Sequence, residues 1–161
     1  MRRAIAVDVS EPASDRVRGT VTLSFEDRYR RRVRLLDDDG EPFLLDLAHA
    51  TRLNDGDGLV LDDGAVLVVR AADEDVLDVA GTDPRHTARL AWHIGNRHTP
   101  VEVLQNGQLR IAYDRVLAAM LEGLGAVGTR IQAPFGPEPG AYDNSTKKAE
   151  HGAGHAHADH G

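Results

Sequence analysis

The chain contains no cysteine among its 161 residues. That excludes a disulfide framework, thiolate zinc sites, iron–sulfur clusters and cysteine nucleophiles together, and leaves His, Asp and Glu to hold any transition metal. Aromatic residues make up only 4%, so platforms on which nucleic-acid bases could stack are scarce. Positive charge is in deficit as well. The 19 Lys and Arg stand against 26 Asp and Glu, a formal net charge of -7 with histidine neutral, which argues against a general nucleic-acid binder because such a protein needs a cationic face to displace counterions from phosphates. Long apolar runs are missing. Met1-Arg2-Arg3 could open a signal peptide, but the apolar run 4–7 stops at Asp8, and no stretch approaches the roughly 18 to 20 apolar residues that cross a bilayer. The expectation is a cytoplasmic protein with neither membrane nor nucleic acid as partner.

What is present reads first as β structure. From residue 1 to about 72, apolar residues alternate or cluster in short runs: Ile5, Val7 and Val9, then 17–25, 33–36, 43–47, 59–61 and 66–69. Asp38-Asp39-Gly40, Asn54-Asp55-Gly56, Asp57-Gly58 and Asp63-Gly64 separate these runs with residues that tolerate positive φ at tight turns. Asp62-Asp63-Gly64 marks the clearest hairpin of this half.

From about 73 the rhythm changes. A strand at 76–80 precedes a helix from Pro84 to about Ile94, with Asp83 as N-cap, Pro84 at the first helical position and Gly95 at the end. Strands at 101–105 and 108–112 form a hairpin across Asn106-Gly107. Asp114 caps a second helix whose Val116, Leu117, Met120, Leu121 and Leu124 recur at helical spacing, with Gly125 or Gly128 as the left-handed exit. A last strand covers about 129–133. The fold class is therefore α+β: an all-β domain at 1–72, a ferredoxin-like βαββαβ domain at 73–143, and a disordered His-rich tail at 144–161. Domains of roughly 70 residues bury only about 60% of their unfolded surface, so oligomerisation helps such a chain. The order of elements alone names no function.

Eight histidines carry the chemistry, and four of them, His151, His155, His157 and His160, fall in the last eleven residues. Neutral imidazole suits late first-row divalent ions, and a flexible segment can wrap its imidazoles around an ion without a preformed cage. An expression tag is the competing reading, but these histidines are interrupted by Gly, Ala and Asp. His98 lies just past the expected helix end, in His93-Ile94-Gly95-Asn96-Arg97-His98-Thr99-Pro100, where an imidazole stays reachable. Taken alone it is an ordinary surface residue. One histidine does not hold a divalent ion tightly, whereas two copies brought opposite each other by a dimer axis can, and tail histidines could complete the shell. Nine residues separate Tyr142 from His151, a reach of at most about 30 Å. His93, in the last helical turn, suits the unpaired carbonyls and the negative end of the dipole better than a metal. His86 and His49 read as solvent or structural histidines, with His86 and His93 two turns apart on one face as the one weak pairing.

The basic run Arg28-Tyr29-Arg30-Arg31-Arg32-Val33-Arg34 is followed at once by Asp37, Asp38 and Asp39. It reads as a solvated, aggregation-resistant edge strand, with the docking of an acidic partner protein as the alternative. No Gly-rich phosphate loop and no nucleophile–base pair is recognisable, so an enzyme is not expected. An RNA-binding ferredoxin-like module would need strand aromatics, but Val101, Val103, Leu109 and Ile111 occupy those strands.

The segment from His93 to Pro100 closely resembles the His-Leu-Gly-Asn-Arg-His-x-Pro signature of the urease accessory nickel metallochaperones. The likeness extends through Leu44-Leu45-Asp46-Leu47, Leu53-Asn54-Asp55-Gly56-Asp57, Asp114-x-Val116-Leu117-x-x-Met120-Leu121 and Pro134-Phe135-x-Pro137-Glu138-x-Gly140-Ala141-Tyr142, and ends in the His-rich tail. The resemblance implies an N-terminal domain of peptide-binding type, a homodimer through the C-terminal domain, and Ni(II) held by His98 at the two-fold axis with His151, His155, His157 or His160 assisting. It further implies delivery to the urease activation complex through an accessory GTPase. Some members carry His-Asp-His-Val-Leu at the start of the second helix as a peripheral site; here Tyr113-Asp114-Arg115-Val116-Leu117 stands in its place, so that site is expected to be absent. From the residues alone the ion is only a late divalent one, and Zn(II) or Cu(II) is expected to compete on the Irving–Williams order. Imidazoles must be neutral to ligate, so affinity should fall as pH drops through about 6.5. The competing function is metal storage or detoxification by the tail alone.

Overall fold

The structure is a computed structural model and describes residues 1–140. The expected tail at 144–161, with the last residues of the expected second domain, lies outside them. The chain divides into two compact units, one built on Met1–Ala71 and the other on Ala72–Glu138. Among the described residues, no helix is long and apolar enough to cross a membrane.

The first unit is a six-stranded sheet of β1 (Arg2–Asp8), β2 (Val17–Leu23), β3 (Tyr29–Leu36), β4 (Pro42–Arg52), β5 (Gly58–Leu61) and β6 (Val66–Ala71), in the order β2-β6-β5-β1-β4-β3. The β1–β4 and β2–β6 pairs are parallel. Alternation makes the core: in β4, Phe43, Leu45 and Leu47 are buried while Leu44 and Asp46 between them face outward and stay half-buried. Phe43, Leu45, Leu53, Leu59 and Leu67, all fully buried, form the centre of this layer. The β5–β6 hairpin turns at Gly64, φ +90.

A polar contact curls the sheet. The turn joining β3 to β4 reaches β2, the opposite edge, where the Asp38 N–H donates to the Thr20 carbonyl at 2.9 Å. The Asp38 carboxylate accepts from the Thr22 N–H at 3.1 Å and from the Thr22 hydroxyl at 2.9 Å. Such an edge-to-edge tie turns six strands into a half-barrel whose inner face is the apolar one.

The second unit runs β7 (Asp73–Ala80), α1 (Pro84–Asn96), β8 (Glu102–Val103), β9 (Leu109–Ala112), α2 (Arg115–Gly123) and β10 (Val127–Pro134). Its sheet order is β10-β7-β9-β8 with every pair antiparallel, which is the ferredoxin-like arrangement. Leu77 and Val79 of β7 and Leu109 and Ile111 of β9 pack with Leu90 and Ile94 of α1 and Leu117 and Leu121 of α2. The Asn106-Gly107 turn is present, with Gly107 at φ +88.

Element boundaries differ from the sequence reading in instructive ways. Strand 101–105 shrinks to Glu102–Val103, because Leu104 already accepts the turn bond from the Gly107 N–H. Strand 129–133 lengthens to Val127–Pro134, paired with β7 over its whole length. Gly128, which weakens a strand by propensity, lies close against the core there: a Cβ would come within 3.1 Å of Leu77 Cδ1, and that side chain would have to give way. The basic run 28–34 does form an edge strand, β3, from Tyr29 onward, but Arg28 is not solvated: it is buried and donates to the Leu23 and Leu53 carbonyls.

Candidate metal centre

Helix α1 carries the site. Asp83, extended at φ -159, caps it by accepting the His86 N–H at 2.8 Å, and Pro84 follows at the first helical position. His86 is a structural histidine. Its Nδ1 accepts the Thr82 N–H at 2.9 Å, and its Nε2 lies 2.8 Å from the Leu124 carbonyl. Those partners require the proton on Nε2 and tie the start of α1 to the end of α2. Neither nitrogen is left for a metal, which removes the weak pairing with His93. His93 is half-buried, its ring edge-on to Trp92 at 5.0 Å. His49 is exposed on β4.

The end of α1 departs from expectation. Gly95 does not terminate the helix; Arg97 is the C-cap and the left-handed residue after it is His98, at φ 58. The His98 N–H donates to the Gly95 carbonyl at 2.9 Å and the Thr99 N–H to the Ile94 carbonyl at 3.3 Å. These two bonds make a Schellman motif, whose left-handed position is normally glycine. His98 is the only non-glycine residue with positive φ among the described residues, and a Cβ there costs roughly 1–2 kcal/mol. Backbone outliers of that kind cluster at functional sites. The imidazole is exposed.

An open depression of about 510 Å³ adjoins this loop, lined by Asn96, Arg97, Thr99, Asp114, Val116 and Leu117. Asp114 is committed to capping α2, accepting the Val116 N–H at 2.8 Å and the Leu117 N–H at 3.0 Å. Tyr113 lies under the Arg130 guanidinium, 3.7 Å from its ring centre. Trp92 of α1 and Val116 of α2 are large apolar residues that stand 62% and 63% exposed. The sequence reading missed Trp92, although helical spacing holds the signal: it falls midway between the buried Leu90 and Ile94, on the opposite face.

Among the described residues, no three His, Asp or Glu side chains converge to hold a metal. His98 is exposed and belongs to no such cluster among the described residues. His151, His155, His157 and His160 lie outside the described residues.

Family profiles described as UreE urease accessory protein, N-terminal domain and C-terminal domain, match residues 3–72 and 74–161. The chain is 50% identical over 141 residues to the urease accessory protein UreE of Rhodopseudomonas palustris (strain HaA2), covering 88% of this chain but 63% of that relative. It is 49% identical over 147 residues to that of Chelativorans sp. (strain BNC1), covering 91% of this chain and 92% of the relative. To that of Ruegeria pomeroyi it is 47% identical over 138 residues, covering 86% and 85%. Both halves match in order, and the chain belongs to the UreE family of urease accessory proteins.

Proposed function

We propose that this chain is a nickel chaperone that serves urease maturation in the cytoplasm and is not itself an enzyme. Two copies pair through the 73–143 domain, each presenting His98 to the other across a two-fold axis, and the paired imidazoles hold one Ni(II). Histidines 151, 155, 157 and 160 of the 144–161 tail supply further ligands, and the 1–72 domain serves partner recognition. The ion passes by ligand exchange to the accessory GTPase and the urease activation complex.

The observation that carries this reading is His98 in the left-handed position of a Schellman motif, exposed, where glycine would be cheaper. The exposed Trp92 and Val116 favour a covering partner for the same unit, and a small domain gains stability from one. Kinship to urease accessory proteins is what favours nickel, since imidazole alone also accepts Cu(II) and Zn(II). A site open to solvent and completed by ligands from a separate segment releases its ion to a better-organised acceptor more readily than a closed cage does.

The test is transfer. Nickel-loaded protein is mixed with the metal-free accessory GTPase, the two are separated, and nickel is counted in each. Movement of nickel to the GTPase from the wild type, and its loss in His98→Ala, supports delivery. Retention of all nickel by both forms makes storage on the tail histidines the function.

A further inference from the structure

The outward face of the first unit carries a cluster of arginines that the metal site does not use. Strand register places Arg3 of β1, Leu44 of β4 and Arg34 of β3 side by side in one row, and Arg32 beside Asp46 in the next. Paired residues share a face, and the residues between them, Ala4 and Leu45, are fully buried on the other side. Asp46 is divided between two guanidiniums, accepting from Arg3 at 2.7 Å and Arg32 at 3.5 Å. Both arginines stay more than half exposed, and Arg31 also acts on the Asp46 charge. Arg34 is exposed and has no hydrogen-bond or ion-pair partner among the described residues. Asp62 is the one further carboxylate acting on Arg3. Arg3, Arg32 and Arg34 thus share one face, with Asp46 held between two of them, on a protein whose net charge is -7.

Protection of a sheet edge accounts for charge on β3 but not for this cluster. Edge protection needs charged side chains on the outermost strand alone, whereas Arg3 lies two strands inward in the order β1-β4-β3. Exposed apolar groups accompany the arginines: Ile5, 45% exposed, follows on β1, and Leu36, 55% exposed, ends β3. Arginine mixed with exposed apolar side chains is the composition of a protein-binding surface. Among the described residues β3 pairs on one side only, with β4, and its other side offers backbone groups on which an extended segment could form a further strand.

We propose that the face formed by β1, β4 and β3 docks an acidic, extended segment of a partner protein, its carboxylates meeting Arg3, Arg32 and Arg34. The inference rests on the partner-recognition role proposed for the 1–72 domain, to which it gives a chemistry, and stands independently of His98 and of nickel.

The probe is a fluorescein-labelled peptide of alternating Glu and Val, with five glutamates, titrated with the full chain by fluorescence anisotropy at low salt. Saturable binding is expected, weakened at least about tenfold in Arg32→Glu/Arg34→Glu, while the equal charge change Arg70→Glu/Arg85→Glu at two other exposed arginines alters it less than about twofold. Raising salt weakens binding in the wild type. Arg34→Gln removes a side chain with no partner to lose, and its loss of several-fold affinity decides the matter if the double variant does not fold. Equal loss in the control pair, or no saturable binding, overturns the proposal. So does tighter binding, through these arginines, of a thymidine oligonucleotide of equal charge or of phosphatidylserine vesicles, and so does self-association as the patch's occupancy.

Discussion

The backbone N–H of His98 donates to the carbonyl oxygen of Gly95 at 2.9 Å while His98 itself sits at φ 58. A histidine thus fills the helix-ending position that glycine fills most cheaply. His98→Gly should keep the fold and raise stability by about 1 kcal/mol, while His98→Ala should leave stability nearly unchanged because it keeps the Cβ. Both should lose the metal. Denaturant unfolding beside nickel dialysis checks this, and a glycine variant less stable than wild type would remove strain from the account.

His86 should behave in the opposite sense. His86→Phe keeps a ring of similar size but leaves the Thr82 N–H and the Leu124 carbonyl without their partner, at a cost of about 1–2 kcal/mol. Nickel bound per dimer should not change. Loss of nickel with unchanged stability would make His86 a ligand rather than a clasp.

Acid should loosen the first unit through the β3–β4 turn. The Thr20 hydroxyl, with Thr22, holds the Asp38 carboxyl below the ordinary carboxylate range. For Asp37 burial works upward, but the Glu41 and Asp39 N–H groups and Arg2 outweigh it and hold it low as well. A folded value below the unfolded one, about 3.9, means the stabilisation is fully present above that pH and is lost as pH falls through the folded value. Asp38→Asn should therefore be less stable than wild type at pH 7, and the gap should close below about pH 4. A constant gap in urea titrations across that range would contradict the assignment.

Val116 and Trp92 are exposed apolar residues on the unit that carries His98. If they are covered in a dimer, Val116→Asp should shift the protein toward monomer in sedimentation velocity and reduce nickel bound per chain with little effect on monomer stability, since the residue is 63% exposed. An unchanged dimer would move the interface elsewhere.

Much of the fold was legible because strong local signals agreed with the global arrangement. Asp83-Pro84 and Asp114 start the helices as read, Gly107 turns the hairpin, and Gly125, at φ +91, supplies the exit from α2. The misses arise where packing outweighs propensity. Gly95 looked like a helix stop, yet Ile94 must stay buried against the core and the helix continues to Asn96. No propensity scale anticipates a left-handed histidine, so the feature that marks His98 out from an ordinary surface residue came only with backbone angles. The order of β1 beside β4 was likewise invisible, and with it the gathering of Arg3, Arg32 and Arg34. Of the candidate ligands, His98 was found in the sequence as a loop residue and stands exposed in the structure; its companions in the tail are outside the described residues.

The most direct test of a shared His98 site is the nickel bound per dimer, by equilibrium dialysis, in a full-length protein whose His151, His155, His157 and His160 are all replaced by alanine, with and without His98→Ala. One ion per dimer, abolished by His98→Ala, is the result the account predicts. An ion retained after His98→Ala, or no tight ion in either form, would contradict it and leave binding to other residues or to the tail.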